Sequence, residues 1–360
     1  MIRVQNDFSL RRFNTLRLDV KAKHFCRISE VADLVWLLSQ PKYRSLPFLL
    51  LGEGSNLLFV RDFAGTVAKM EISGIEEISK NKDRLLLAVG AGENWHKLVS
   101  FTVSRGWGGI ENLALIPGTV GAAPVQNLAA YGQCLADVFV SLEALDLKTL
   151  KMKTFTKSDC RFGYRQSVFK NKLRGRYAIT RVIIALSKTG KLETSYYSQG
   201  LRHDSIQAEL TKFAKPPYRP KDVFSAVIRL RRQKLPDVDK IPSAGSFFLN
   251  PVVSSGKLAH LQTKVKELQY YPIDQLTYLQ PSHRPFRRQS VKIAAGRLLD
   301  ELGWRGKQLG NVSVYPKHAL VITHNGQATG KEILHFAGKI QQDCYRRFGV
   351  KLELEVNVID

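Results

Sequence analysis

The chain has 360 residues; 44% are hydrophobic and 24% charged, and 55 Lys and Arg against 31 Asp and Glu leave a formal net charge of +24. The length is more than one ordinary core holds, and the composition excludes a disordered or collagen-like chain, so two or three globular domains are expected. The four cysteines, Cys26, Cys134, Cys160 and Cys344, form no C-x-x-C pair, which argues against a zinc ribbon or a disulfide framework and for a reducing compartment.

The opening stretch MIRVQNDFSLRRFN mixes charges with apolar residues and lacks the apolar centre of a secretion signal, so a cytoplasmic protein is expected. Residues 31–38 carry amphipathic helical spacing. Residues 46–51 read as a buried strand, 52–56 as a tight loop and 57–60 as the next strand. Residues 84–92 read as a strand running into a glycine turn, and 93–106 as a helix stopped by Gly106. Glu111 to Asp137 holds no charge between its ends, but Pro117, Gly118, Gly121 and Pro124 interrupt it. A lipid-facing helix could not satisfy its backbone there, so buried irregular chain is expected. Residues 178–186 form a β-branched strand. A basic linker follows at about 200–220, where Pro216 and Pro217 forbid a helix. Helical spacing returns at 223–235, 291–303 and 331–349, the last two closed by Gly303 and Gly349. Residues 351–359 alternate as a final strand that returns to the first segment. The fold class is α+β.

The charge is uneven. Residues 51–150 carry 8 basic and 11 acidic side chains, whereas 151–300 carry 30 and 10. The later part should therefore attract anions, and nucleic acid, acidic lipid or a polyphosphate metabolite all qualify. A solvated basic surface without a partner is the plain alternative.

Gly52-Glu53-Gly54-Ser55-Asn56 begins like a dinucleotide fingerprint, but Leu57 stands where its third glycine belongs and a strand follows instead of a helix. Such a loop can still aim successive N–H groups at a phosphate; the alternative is a simple turn. The uncharged stretch ENLALIPGTVGAAPVQNLAAYG lets backbone approach a large planar ligand, or packs domains together.

GEGSNLLF, VGAGENWHKLV, ENLALIPGTVGAAPVQN, CRFGYRQSVFK, KLP at 234–236, AGSFFLNPVV, KIAAGRLLDELGWRGKQLG and LELEV occur in this order. With them the chain, from about residue 8 to 360, resembles the MurB-type reductases, in the form with a mobile tyrosine loop. The resemblance implies three domains. Residues 1–72, completed by 350–360, and 73–220, with a substrate lid near 190–200, would form a vanillyl-alcohol-oxidase-type FAD-binding fold. Residues 221–349 would form a substrate-binding α+β domain. It implies noncovalent FAD, NADPH as cosubstrate, a UDP-sugar substrate, no nucleic acid, no membrane span and a monomer. The reaction implied is reduction of UDP-N-acetylglucosamine enolpyruvate to UDP-N-acetylmuramate.

Carried over by motif, the cofactor contacts are Gly52, Gly54, Ser55, Asn56, Gly118, Thr119, Gly121 and Ala122. Ser246 is implied as proton donor, and Arg165 with Glu355 as the pair that stabilises the enolic intermediate. Tyr164, Lys234, Asn250 and Tyr271 are implied substrate contacts, with Tyr196 as the lid tyrosine and Tyr197 beside it. The chemistry is coherent: a guanidinium offers planar, permanent charge to a carboxylate that gains charge, and a fixed hydroxyl can protonate a strongly basic carbon. Without the family, Arg165 reads as one more surface arginine, Ser246 as a turn residue and Glu355 as solvated. Glu353 and Glu355 are expected to face opposite sides of the final strand, Glu355 inward.

The chain departs from the family pattern at several positions. Ala129 stands where a glycine is usual and is strained if its φ is positive. Pro242, Ser243, Leu249, Tyr315 and His318 also differ, and 281–290 reads as an insertion. The rival readings are another FAD-dependent oxidoreductase on the same fold and a basic nucleic-acid binder.

Overall fold

The computed structural model describes residues 2–194, 205–272 and 290–360. Its first sheet runs Gln5–Ser9, Lys21–Ile28, Phe63–Met70, Phe48–Leu51, antiparallel at the first junction and parallel at the other two. Parallel neighbours need a crossover, and helix Val31–Ser39, opened by a capping box of Glu30 and Asp33, supplies it. Its Leu34 and Leu37 bury against Cys26, Ile28, Ala68 and Met70 on one face of the sheet. On the other face Phe25 stacks on Phe8, ring centroids 4.0 Å apart. That face shares one continuous core with residues of the last third of the chain, among them Phe247, Trp304, Phe336 and Leu352.

The second sheet is antiparallel throughout, in the order Met152–Thr156, Phe139–Asp146, Tyr177–Ser187, Arg84–Gly90, Ile75–Lys80. Helix Trp95–Ser104 covers it, capped by Asn94, whose side chain accepts the Lys97 N–H at 2.9 Å; it stops before Gly106 at φ +76°. The same core takes Val223, Ala226, Val227 and Leu230 from helix Pro220–Lys234. A unit boundary at 220 would give this helix to the third unit, yet its apolar stripe lies on the second core.

The third part holds two small sheets, Ser243–Ser246, Val321–His324, Val312–Val314, Gln308–Leu309 and Val252–Ser254, Ser290–Ile293, Tyr270–Pro272. Residues 291–303 are not one helix. β-Branched Val291 and Ile293 sit in the strand Ser290–Ile293, and the helix Ala295–Glu301 begins only after it. Within the expected linker, Ile206–Leu210 forms a short helix capped by Ser205, while the proline pair at 216–217 stays non-helical. Of residues 351–359 only Asn357–Ile359 is a strand, and it pairs in parallel with Leu57–Phe59, so the return to the first segment holds. The inserted-looking stretch at 281–290 lies, up to Gln289, outside the described residues.

The long helix Gly330–Phe348 starts at a Thr329–Glu332 capping box and ends at Gly349, φ +60°. A Cβ on Gly330 would stand 1.8 Å from the Phe59 carbonyl oxygen, whereas one on Gly338 would meet nothing within 4 Å. Gly330→Ala should therefore lower stability by on the order of 3 kcal/mol, because backbone must move. Gly338→Ala should raise it by about 0.5–1 kcal/mol through helix propensity. Thermal unfolding of both variants checks the pair, and similar melting temperatures would count against this packing.

Candidate active site

The loop 52–56 leaves the buried strand Phe48–Leu51 and must turn sharply to enter Leu57–Phe59. Gly54 makes this possible at φ +64°, with its Cα so near the Phe13 carbonyl that a Cβ would lie 2.1 Å from that oxygen. The uncharged segment after Glu111 is buried, irregular chain, as expected, and it is stitched to the turn before helix Trp95–Ser104. Val120 N–H donates to Glu93 O, Gly121 N–H to Ala91 O, and the Trp95 indole to Leu113 O at 3.0 Å. Glu53 ties the two loops together: it accepts the Gly118 N–H at 2.7 Å and the Asn94 side-chain amide.

Between these loops lies a cavity of about 210 Å³, lined by Gly52, Gly54, Ser55, Asn56, Gly118, Thr119 and Ala122 among others. Gly121 is placed otherwise. Its Cα presses on Ala91, where a Cβ would stand 2.6 Å from the alanine methyl, so it sets the spacing of the loops. Gly52, Gly118 at φ +134° and Ala122 leave room for a flat ring system, and the backbone of two glycine turns offers N–H groups to a phosphate. These residues fit an FAD.

A second cavity of about 250 Å³ shares Ser55, Asn56, Pro117, Gln126 and Leu128 with the first, and Arg165, Lys234, Ser246 and Glu355 line it. Three separated segments bring Arg165, Ser246 and Glu355 there, and Lys234 comes from the end of helix Pro220–Lys234. Arg165 occupies a two-residue turn closed by reciprocal hydrogen bonds between Gly163 and Gln166, and it sits in the left-handed region at φ +52°. Ser246 ends a strand whose partners jump from Ser243↔Thr323 to Ser246↔Val321, a bulge eased by Gly245 at φ +72°. Beyond it, Glu355 N–H donates to Phe247 O and Leu249 N–H to Glu353 O, so residues 353–355 run beside 247–249. In a regular strand Glu353 and Glu355 would share a face, so strand alternation is not what sets them apart. What separates them is the irregular chain here: Glu353 is exposed, and the Glu355 side chain is 11% exposed. Arg165 Nε stands 2.8 Å from Glu355 Oε1, and Arg165 Nη1 donates to Ala129 O at 3.0 Å.

Ala129 itself is unstrained. It lies in the strand pair Ala129–Ala130 and Gln133–Cys134, and the positive φ falls instead on Tyr131 at +48° and Gly132 at +84°. Tyr164 and Tyr271 flank the Lys292 ammonium, which lies 4.1 Å and 5.0 Å from their ring centroids. Burial, and then the neighbouring Arg165 charge, lower the Lys292 pKa to about 8. Burial pushes the Tyr164 hydroxyl up to about 12, so it stays a donor at neutral pH. Asn250 does not line the cavity; its Oδ1 accepts the Ala295 N–H at 3.0 Å and so caps a helix. Tyr196 and Tyr197 lie outside the described residues, but the stretch before them is anchored by Asn112 Nδ2 to Glu193 O at 2.8 Å.

Arg231, His318, Lys292 and Lys170 escaped the sequence assignment. Arg231 repeats at i+4 from Val223 and Val227, on the buried stripe of its helix, and that register was the available signal. Lys170 lies in the first cavity's wall and donates to Arg165 O at 3.1 Å, a contact no spacing rule reveals. Among the described residues no cluster of His, Cys, Asp or Glu could hold a metal ion, and no helix is long and apolar enough to cross a membrane.

Residues 236–359 match the family described as UDP-N-acetylenolpyruvoylglucosamine reductase, C-terminal domain, and residues 22–150 the family described as FAD binding domain. The chain is 38% identical over 357 residues to the UDP-N-acetylenolpyruvoylglucosamine reductase of Flavobacterium johnsoniae, covering 99% of each. It is 40% identical over 350 residues to that of Chromobacterium violaceum, covering 97% of each. Among solved structures, the UDP-N-acetylenolpyruvylglucosamine reductase (MurB) of Thermus caldophilus shares the fold at 21% identity, with a TM-score of 0.66 and full coverage of both chains.

His318 gives the cavity a pH signature. Burial, then the Lys234 and Arg305 charges, lower its pKa to about 4, and its Nδ1 accepts the Leu320 N–H at 3.3 Å, which requires a neutral ring. The unfolded chain therefore takes up this proton at higher pH than the folded one. His318 favours the fold fully above pH 6.5, and that contribution is lost as pH falls toward 4, by at most about 3 kcal/mol. His318→Gln should flatten the wild-type loss of stability over that window. Denaturant melts at pH 7 and pH 4.5 measure this, and parallel losses in both proteins would contradict it.

Proposed function

The chain belongs to the UDP-N-acetylenolpyruvoylglucosamine reductase family, and from that premise we propose which of its side chains carry the reaction. It is an FAD-dependent oxidoreductase of the vanillyl-alcohol-oxidase-type fold that reduces UDP-N-acetylglucosamine enolpyruvate to UDP-N-acetylmuramate with NADPH, a step of peptidoglycan precursor synthesis. Noncovalent FAD, when bound, supplies the hydride for the enolpyruvyl double bond.

One observation carries the residue assignment: Arg165, Ser246 and Glu355, from three distant segments, line one cavity that opens on the glycine-loop cleft through Ser55 and Asn56. Ser246 is the proton donor to the carbon beside the substrate carboxylate. The bulge at Gly245 places Ser246 in the cavity wall, and a strongly basic enolic carbon makes so weak an acid adequate. Arg165, fixed by Glu355 and the Ala129 carbonyl, presents a preorganised guanidinium where negative charge grows. Tyr164, Lys234 and Tyr271 contact the substrate, with Asn250 acting through the helix it caps. The glycine loops hold the cofactor, and Gly121 only spaces them.

The chain is read as a cytoplasmic monomer in three units, 1–72 with 350–360, 73–220 and 221–349, the first helix of the third unit packing on the core of the second.

A yellow purified protein that oxidises NADPH only when the enolpyruvyl nucleotide is supplied tests the reaction. Ser246→Ala should leave flavin bleaching by NADPH unchanged and slow turnover of the sugar nucleotide by about 10²–10⁴. Stopped-flow absorbance separates the two half-reactions, and equal loss in both refutes the donor role.

A further inference from the structure

We propose that Lys170 is the countercharge of the reduced flavin: its ammonium offsets the negative charge that the ring gains with each hydride from NADPH, and so helps to set the cofactor's potential. The inference goes beyond the residue assignment above and rests on it in one respect, the end of the cleft at which the ring lies. Its basis is a count of charges in the cofactor cleft. Glu53 and Lys170 are the charged side chains of that lining. Glu53 is engaged, since it accepts the Gly118 N–H at 2.7 Å and the Asn94 side-chain amide. Lys170 is not matched in this way. Among the described residues its ammonium donates one hydrogen bond, to the Arg165 carbonyl at 3.1 Å, and makes no ion pair with a carboxylate. Glu355 and Glu353 act on it from a distance, opposed by the Arg165 and Arg174 charges.

The chain holds this ammonium in place. Ser167 Oγ donates to the Val125 carbonyl at 2.6 Å, and Val125 is part of the cleft wall. Phe169, next to Lys170, is buried against Phe155, ring centroids 5.0 Å apart. A long side chain is thus anchored at its base and at its tip. Its place along the cleft follows from its partner. Arg165 lines the adjoining cavity with Ser246, and hydride passes between groups in contact, so the ring must occupy the end of the cleft that opens there. Lys170, fastened to Arg165, belongs to that end. The oxidised ring is neutral. A hydride from NADPH adds two electrons and one proton, hence one negative charge; NADP⁺ leaves, and no further proton is needed where a cation meets that charge. Burial lowers the Lys170 pKa from the ordinary lysine value, a desolvation that an anionic ring offsets.

The test is the midpoint potential of bound FAD, measured without substrate by slow reduction against a reference dye. Lys170→Met and Lys170→Gln both remove the charge, and Gln keeps a donor for the Arg165 carbonyl. Both should weaken the reduced flavin relative to the oxidised by about tenfold or more, a fall of about 30 mV or more for a two-electron couple. Lys170→Arg should keep the wild-type potential. A wild-type potential in both neutral variants overturns the proposal and leaves Lys170 a strut for the Arg165 turn. A fall in Lys170→Met that Gln restores traces the effect to the hydrogen bond and overturns it as well. So does weaker FAD binding at an unchanged potential, which would give the ammonium to a phosphate. Failure of the reaction assigned above shows separately, as wild-type flavin that NADPH does not bleach.

Discussion

The ion pair of Arg165 with Glu355 is the constraint around which the site closes. It joins a tight turn of the second sheet's region to a segment that arrives only after the last helix, and that segment lies beside Phe247 and Leu249. Removing either partner would leave a charge in a wall that water scarcely reaches, so the two side chains fix each other and fix the distance between three parts of the fold. Arg165 also holds a left-handed backbone, which costs on the order of 1–3 kcal/mol and persists because the turn, the Ala129 carbonyl and Lys170 all determine it.

Much of the architecture was readable because it depends on local rules. Helix Gly330–Phe348 follows from its capping box and terminal glycine, strand Tyr177–Ser187 from its β-branched run, and the glycine loop from the two strands beside it. The readings that failed depend on partners. Ser290–Ile293 is a strand because Val252–Ser254 and Tyr270–Pro272 accept it, although its sequence runs on into helical spacing. Glu353 and Glu355 do differ as expected, but because tertiary bonds bend the chain out of strand register, not because a strand alternates. Motifs located the catalytic cavity, whereas Arg231 had no motif and Lys292 opened one without a role: their meaning comes from which charges they face, and that is set by the fold.

The electrostatics of the two cavities are distinct. The cofactor cleft is walled mostly by uncharged residues, with Glu53 and Lys170 as the charged ones in its lining. The adjoining cavity is cationic, with Arg165, Arg231 and Lys234 in its wall. Residues 151–300, which hold the basic surplus, supply these three cations, and such a field draws phosphorylated ligands toward the second cavity.

Strand Asn357–Ile359 runs parallel to Leu57–Phe59, and Asn357 clasps the Asn56 carbonyl with both its backbone and its side-chain amide. On the ribosome the glycine loop emerges before the strand that braces it, which follows 301 residues later. The nascent polypeptide therefore carries that edge bare until this strand arrives, and vitamin loading belongs to the period after it has paired.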